Sequence, residues 1–350
     1  MAMTYKKLAE LCGVSRATVD RVMNNRGRVS SELEKHIRAV AEQYKFQPNK
    51  VGRALALARN PVKVGVLVHL TQIPFFKTVL EGIYDAQSEI SSIGGELIIK
   101  EQEGFDAEEQ IMLLDEMVSD GVKGIALSPA QDERLSKKLS EISRIGIPIA
   151  TFNTMVDGFS PICHVGAKNV DGGRLAAYLM DLLLRGRNSK AIIISGYLTQ
   201  QTNYQRGDGF LSECLKKYPS IEIVGMERNM DDVDRAYEIT MQALEKFKDL
   251  DAVYMVSSGQ EGVCRAIEDS GASGRIQFIA HDLFPITSEY LKKGTIQFIL
   301  DQSGKTQGKK AVDMLFDYIF TGKPPKQHFI VCPFDIITAY NLPSEDYGVS

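Results

Sequence analysis

Hydrophobic positions along this chain change their period near residue 60. Before it, apolar residues recur at helical spacing in short bursts. Leu8 and Leu11, with Ala9 beside them, predict one helix that ends at Cys12-Gly13, where glycine permits the left-handed backbone that closes a helix. Ser15 is a good N-cap for a second helix, RATVDRVMNN, with Val19, Val22 and Met23 facing inward and Arg16, Ala17, Asp20 and Arg21 facing outward. Ser30 and Ser31 offer caps for a third helix, with Leu33, Ile37, Val40, Ala41 and Tyr44 inside and Lys35 and Arg38 on the opposite face. Helix, tight turn and a second helix with a polar outer face is a helix-turn-helix arrangement. After Pro48-Asn49, KVGRALALAR is a short helical segment with too little core to fold alone.

From residue 62 the pattern becomes apolar runs alternating with amphipathic helices. Strands are expected at 62–68, 95–100, 122–127, 147–151, 191–195, 221–226, 252–256, 276–280, 295–300 and 327–332. Helices fill the intervals, from 76–92 to 306–320. This order predicts parallel sheets covered on both faces, and the length of the segment invites two lobes.

Composition adds an asymmetry. The 350 residues carry a net charge of −4, but residues 1–60 hold twelve Lys/Arg against five Asp/Glu, giving +7 there and −11 elsewhere. A basic end on an acidic body suits a module that meets a polyanion. Five scattered cysteines (Cys12, Cys163, Cys214, Cys264, Cys332) form no CxxC pair, which argues for reduced thiols, a cytoplasmic setting and no zinc site. The N-terminus lacks the apolar stretch of a secretory leader, and no run reaches the roughly 20 apolar residues of a membrane span. The five histidines form no HExxH, no GxSxG is present, and GKTQGKK lacks the spacing and Ser/Thr of a phosphate loop. No enzyme, cofactor or metal is expected.

LAELCGVSRATVDRVMNNRGRVS followed by FQPNKVGRALA resembles the headpiece and hinge of the LacI/GalR repressor family over nearly sixty residues. The resemblance implies a second helix in the major groove and a hinge that folds on DNA as a dimer. It places Thr4 at the start of the headpiece contacts. Ser15, Thr18 and Asn24 would touch phosphates, Arg16, Ala17 and Arg21 would face base edges, and Arg28 and Ser30 would clamp the flanking backbone. Asn49, Leu55 and Ala56 would act at the minor groove, with Leu55 as the wedge. Arginine grips guanine through two bonds, whereas Ala17 meets only a thymine methyl.

The body resembles the periplasmic sugar-binding fold that this family uses as a sensor. That implies three crossings between lobes, expected near 158–161, 299–303 and 322–327. The domains are then a headpiece at 1–47, a hinge at 48–60 and a body at 61–345. Lobe 1 takes 61–158 and 303–322, and lobe 2 takes 161–298 and 327–345. Ligand would sit in the cleft at the carboxyl ends of the strands. IPFF resembles the NPFF of ribose-type binding proteins, with Phe75 and Phe76 against a sugar ring and Ile73 in place of asparagine. Gln131, Asn153, Arg206, Asp282 and Gln302 complete the expected set. Between Ser257 and Gln260 the spacing leaves a choice, and Gln260 is favoured. The expected protein is a homodimeric regulator that binds double-stranded operator DNA and a sugar or polyol effector, away from any membrane. A body that senses a protein co-regulator, or a solute-binding protein, are the alternative readings.

Overall fold

The computed structural model describes residues 5–23, 29–44, 61–197 and 200–343. The first helices are Tyr5–Cys12, Arg16–Met23 and Ser31–Gln43. Each sends one fully buried side chain to a common core, Leu8, Val19 and Ile37, with Val22, Ala9, Ala41 and Cys12 around them. Leu11 and Tyr44, expected in that core, are exposed instead. The buried stripe of the first helix runs through Leu8, Ala9 and Cys12, and Leu11 falls to its flank. Arg38 leaves the expected solvent face and donates to the Val22 carbonyl at 3.1 Å, which satisfies an end carbonyl of the second helix.

The body holds two six-stranded sheets. The first contains β1 (Val62–Val68), β2 (Gly95–Glu101), β3 (Ile125–Leu127), β4 (Ile149–Phe152), β5 (Cys163–Gly166) and β11 (Phe329–Val331), in the order β11-β5-β4-β3-β1-β2. The second contains β6 (Ser189–Ser195), β7 (Ile221–Arg228), β8 (Leu250–Met255), β9 (Gln277–His281), β10 (Phe298–Asp301) and β12 (Asp335–Ile337), in the order β12-β10-β9-β8-β6-β7. Pairings are parallel except β10 with β12. In each sheet the strand order reverses beside the first strand, β1 or β6. Loops diverge at such a reversal and leave a crevice at the carboxyl ends of the strands.

Two strands have no counterpart in the sequence pattern, β5 and β12. They move two of the crossings. The chain stays with the first sheet through Gly166 and passes to the second lobe before helix Asn169–Leu184, not at 158–161. Helix Gly304–Thr321 packs on helix Pro74–Ser92, and β11 pairs with β5, so the last crossing falls between β11 and β12 rather than at 322–327. Residues 163–166 and 329–331 therefore belong to the first lobe. The middle crossing lies at Gln302-Ser303, between β10 and the next helix.

Separate apolar cores hold the lobes. Phe152, Ile83 and Val79 anchor the first, and Phe278, Ile267 and Met255 anchor the second. Phe284 of the second lobe is buried against the core of the first, so the lobes meet face to face. All five cysteines are buried free thiols. Among the described residues no helix is long and apolar enough to cross a membrane, and no group of three His, Cys, Asp or Glu side chains is placed to hold a metal.

Candidate functional site

A small cavity of about 50 Å³ lies between the lobes, at the carboxyl ends of both sheets. The first lobe contributes Leu70, Ile73, Phe75, Phe76 and Asn153. Pro74 begins the helix that carries the two phenylalanines, its fixed φ suiting the first turn. Their rings meet edge to face at 5.2 Å. Phe76 packs edge-on against His69 at 5.1 Å. Burial drives the His69 imidazole down to a pKa of about 3, so it is neutral. Gln110 and Ser128 hold its two nitrogens at 3.0 and 3.4 Å, making a rigid polar backing for the aromatic wall.

The second lobe supplies the charge. Arg206 lies on helix Gln201–Lys217, which packs so closely on helix Asn169–Leu184 that a Cβ on Gly173 would overlap the Arg206 carbonyl oxygen. The close approach lets Arg206 donate from Nε to Asn169 Oδ1 and from Nη1 to the Val256 carbonyl, each at 3.0 Å. Nη2 is buried without a partner in the protein. Across the cavity Asp282 accepts from Gln302 Nε2 at 3.2 Å, while Asp282 Oδ1 and Gln302 Oε1 are buried and unpartnered. Burial pushes the Asp282 carboxyl up to about 7, against the opposing pull of the Arg206 charge.

Asp231 is the second cavity carboxylate. Burial raises its pKa, and the Ser258 N–H, the Ser257 hydroxyl and the Tyr197 N–H oppose that rise. Asn153, Asp231 and Asp282 all adopt positive φ, at 59°, 60° and 66°. Asn and Asp tolerate this left-handed region better than other side chains, and such strain collects at ligand sites. Each bends the chain at a strand end and so carries its polar group into the cavity.

In the headpiece, helix Arg16–Met23 buries Val19 and Val22 and leaves Arg16, Ala17 and Arg21 exposed on its outer side. Ser15 caps it, its hydroxyl accepting from the Thr18 N–H at 3.1 Å and lying 2.8 Å from the Thr18 hydroxyl. The two hydroxyls expected at phosphates thus also fix the start of the outward-facing helix. Ser30 is exposed before the third helix. Thr4, Asn24, Arg28, Asn49, Leu55 and Ala56, with the hinge at 48–60, lie outside the described residues.

Residues 64–324 match the periplasmic binding protein domain, and residues 4–49 match the lacI family of bacterial regulatory proteins. Over most of its length the chain belongs to the periplasmic binding protein domain family, and its N-terminal residues carry a lacI-family regulatory domain. The ribose import binding protein of Bacillus subtilis is 23% identical over 267 residues, spanning 75% of this regulator and 83% of that protein. The HTH-type transcriptional regulator MalR of Streptococcus pneumoniae is 29% identical over 179 residues, 49% of this chain and 52% of that one. A solute-binding protein of Burkholderia graminis, solved in complex with D-arabinose, superposes with a TM-score of 0.74 at 25% identity. That match covers 81% of the regulator and 97% of the other chain.

Six of the eight expected ligand residues line the regulator's cavity: Phe75, Phe76, Asn153, Arg206, Asp282 and Gln302. Two do not. Gln131 is exposed and accepts from the Asp157 N–H at 3.1 Å. Gln260 is spent internally, donating to the His281 carbonyl at 2.9 Å, and Ser257 and Ser258 take the wall instead. Asp231, Gln200, Thr202 and Asn203 line the cavity without having been expected.

Asp282 gives the regulator a pH signature. Its folded pKa lies above that of an unfolded aspartate, so the unliganded body loses this group's stabilising contribution as pH rises from about 4 to about 7. Ligand hydroxyls that donate to the carboxylate favour its ionised form. Effector binding at pH 7 should therefore release up to about half a proton. Calorimetry in buffers of different ionisation enthalpy reads this directly. Proton uptake, or release that persists in Asp282→Asn, would contradict it.

Proposed function

We propose that a sugar or polyol closes the interlobe cleft of this DNA-binding transcriptional regulator and thereby sets its affinity for an operator. The observation that carries this reading is a set of buried, unpartnered polar atoms on residues that line one cavity, chief among them Arg206 Nη2, Asp282 Oδ1 and Gln302 Oε1. Leaving each unsatisfied costs about 1–3 kcal/mol, which a ligand with adjacent hydroxyls recovers. One hydroxyl accepts from Arg206 while donating to Asp282, and Phe75 and Phe76 offer apolar surface to the ring carbons. A protein co-regulator docking on the outside would make no use of these atoms.

The regulator works as a cytoplasmic homodimer in this reading. Paired headpieces bind a pseudo-palindromic operator with half-sites about one DNA turn apart, and the hinge, with Leu55 as its wedge, bends the DNA. Lobe closure is the two-state element that couples the cleft to the hinge, and relief of repression by ligand is its expected sign. The test is a thermal-shift titration of the full-length protein with a sugar panel. It is paired with operator binding in the presence and absence of each hit. Stabilisation by a sugar together with a changed operator affinity supports the reading, and a panel with neither effect sinks it.

At the DNA, Arg16→Ala should relax base choice at one operator position by about 1–3 kcal/mol. Selection of bound sequences from random DNA measures this. Equal weakening on every sequence would assign Arg16 to the phosphates instead.

A further inference from the structure

We infer that the effector is longer than one sugar ring and that its second ring lies in an outer groove beside the cleft. This rests on the reading of the cleft as a sugar site and extends it. The inner cavity of about 50 Å³ corresponds to only a handful of waters at roughly 10–15 Å³ each. Beside it, a groove of about 440 Å³ is lined by Phe105, Ala130, Gln131, Asp132, Arg134 and Gln200 among others. Gln200 lines both spaces, so the groove lies next to the cavity at the start of helix Gln201–Lys217. A ligand anchored on Arg206 and Asp282 has room to grow in that direction.

The groove is furnished for a neutral, hydroxyl-rich unit. Gln200 stands at the start of helix Gln201–Lys217, does not cap it with its side chain, and brings a carboxamide to the groove wall. Gln131 uses Oε1 on the Asp157 N–H, a bond that leaves the Nε2 donors unspent. Phe105 of the first lobe and Tyr197 of the second meet edge to face at 5.2 Å where the lobes adjoin. Phe105 is only half-buried and lines the groove, so its ring offers apolar surface to the C–H groups of a sugar.

Charge excludes a phosphorylated extension. Arg134 is held by Asp132 at 3.0 Å and Glu108 at 3.2 Å. The Asp106 and Asp132 carboxylates accept from the N–H groups of Glu108 and Arg134 at the starts of the two helices that border the groove. A phosphate would meet carboxylates around a neutralised cation. A second sugar ring meets two amides and an aromatic ring.

The experiment is calorimetric titration of the full-length protein with D-ribose, D-allose, D-glucose and D-galactose, and with maltose, cellobiose, melibiose and lactose. At least one disaccharide should bind about tenfold tighter than either of its component monosaccharides, the gain of one or two added hydrogen bonds. Gln131→Ala and Phe105→Ala should remove most of that advantage and leave monosaccharide affinity unchanged. Gln131 is exposed, so its replacement leaves the fold intact, and melting curves confirm this for both variants. Monosaccharides that bind as tightly as every disaccharide, or variants that weaken both classes equally, overturn the outer site alone. Failure of every sugar to bind overturns the reading of the cleft itself and the outer site with it.

Discussion

Arg206→Ala should weaken effector binding by roughly ten- to a hundredfold and lower the melting temperature of the body, while operator binding without effector persists. Arg206 is fully buried, and two of its three nitrogens are committed to Asn169 and Val256. Truncation strands both of those acceptors and removes the positive charge that holds the Asp282 carboxyl down. Leaving those two buried acceptors without a donor costs about 1–3 kcal/mol each. At the ligand, the lost charge-assisted hydrogen bond removes about 1.5–3 kcal/mol, a weakening of roughly ten- to a hundredfold. Arg206→Lys separates the two effects. A lysine is a point charge without the fork, and it cannot serve Asn169, Val256 and a ligand hydroxyl together. It should keep more of the stability than of the affinity. Calorimetric unfolding and titration with the tightest sugar measure the pair, and an unchanged affinity in either variant would remove Arg206 from the site.

Arg206 and Asp282 were assigned to the cleft through the resemblance of their motifs to sugar-binding proteins, and for Asp282 the local pattern points the same way. An aspartate that directly follows a buried strand has few structural uses except as a cap, and HDLFP already supplies a proline to start the next helix. Asp231 was hidden by its neighbour. In RNMDDV only one aspartate is needed as a cap, and Asp232 fills that role by accepting from the Arg235 N–H at 2.7 Å. The spare aspartate was the available signal, but nothing in local pattern tells which of the two turns inward. That choice depends on positive φ at Met230 and Asp231, a backbone state set by tertiary contacts. Gln131 and Gln260 lie off the inner cavity for the same reason, since proximity to a strand end does not fix the direction of a side chain. β5 and β12, at four and three residues, are too short to show a period of two, and missing them misplaced two of the three crossings. The long strands and helices were legible because their apolar runs extend over many residues.

Leu8→Ala should cost the protein its operator while leaving the effector site untouched. The headpiece core consists of few side chains, and Leu8, Val19 and Ile37 are its fully buried contributors from three different helices. Removing a buried leucine costs about 2–5 kcal/mol. A domain this small rarely has more than about 3–5 kcal/mol in total. The loss therefore unfolds much of the population, and the eight-residue helix Arg16–Met23 cannot persist alone. Without it, Arg16, Ala17 and Arg21 are no longer held on one face, and only non-specific attraction to phosphates remains. Operator affinity should fall about a thousandfold or more, the usual separation between specific and non-specific binding. Leu11→Ala is the control. Leu11 sits in the same helix and was expected in the same core, yet it is 44% exposed. Its truncation should change stability by about 0.5 kcal/mol or less. Binding of both variants to an operator enriched from random DNA by the wild-type protein, alongside sugar titration, gives the comparison. Equal losses in the two variants would mean that the three helices do not pack around Leu8 as described.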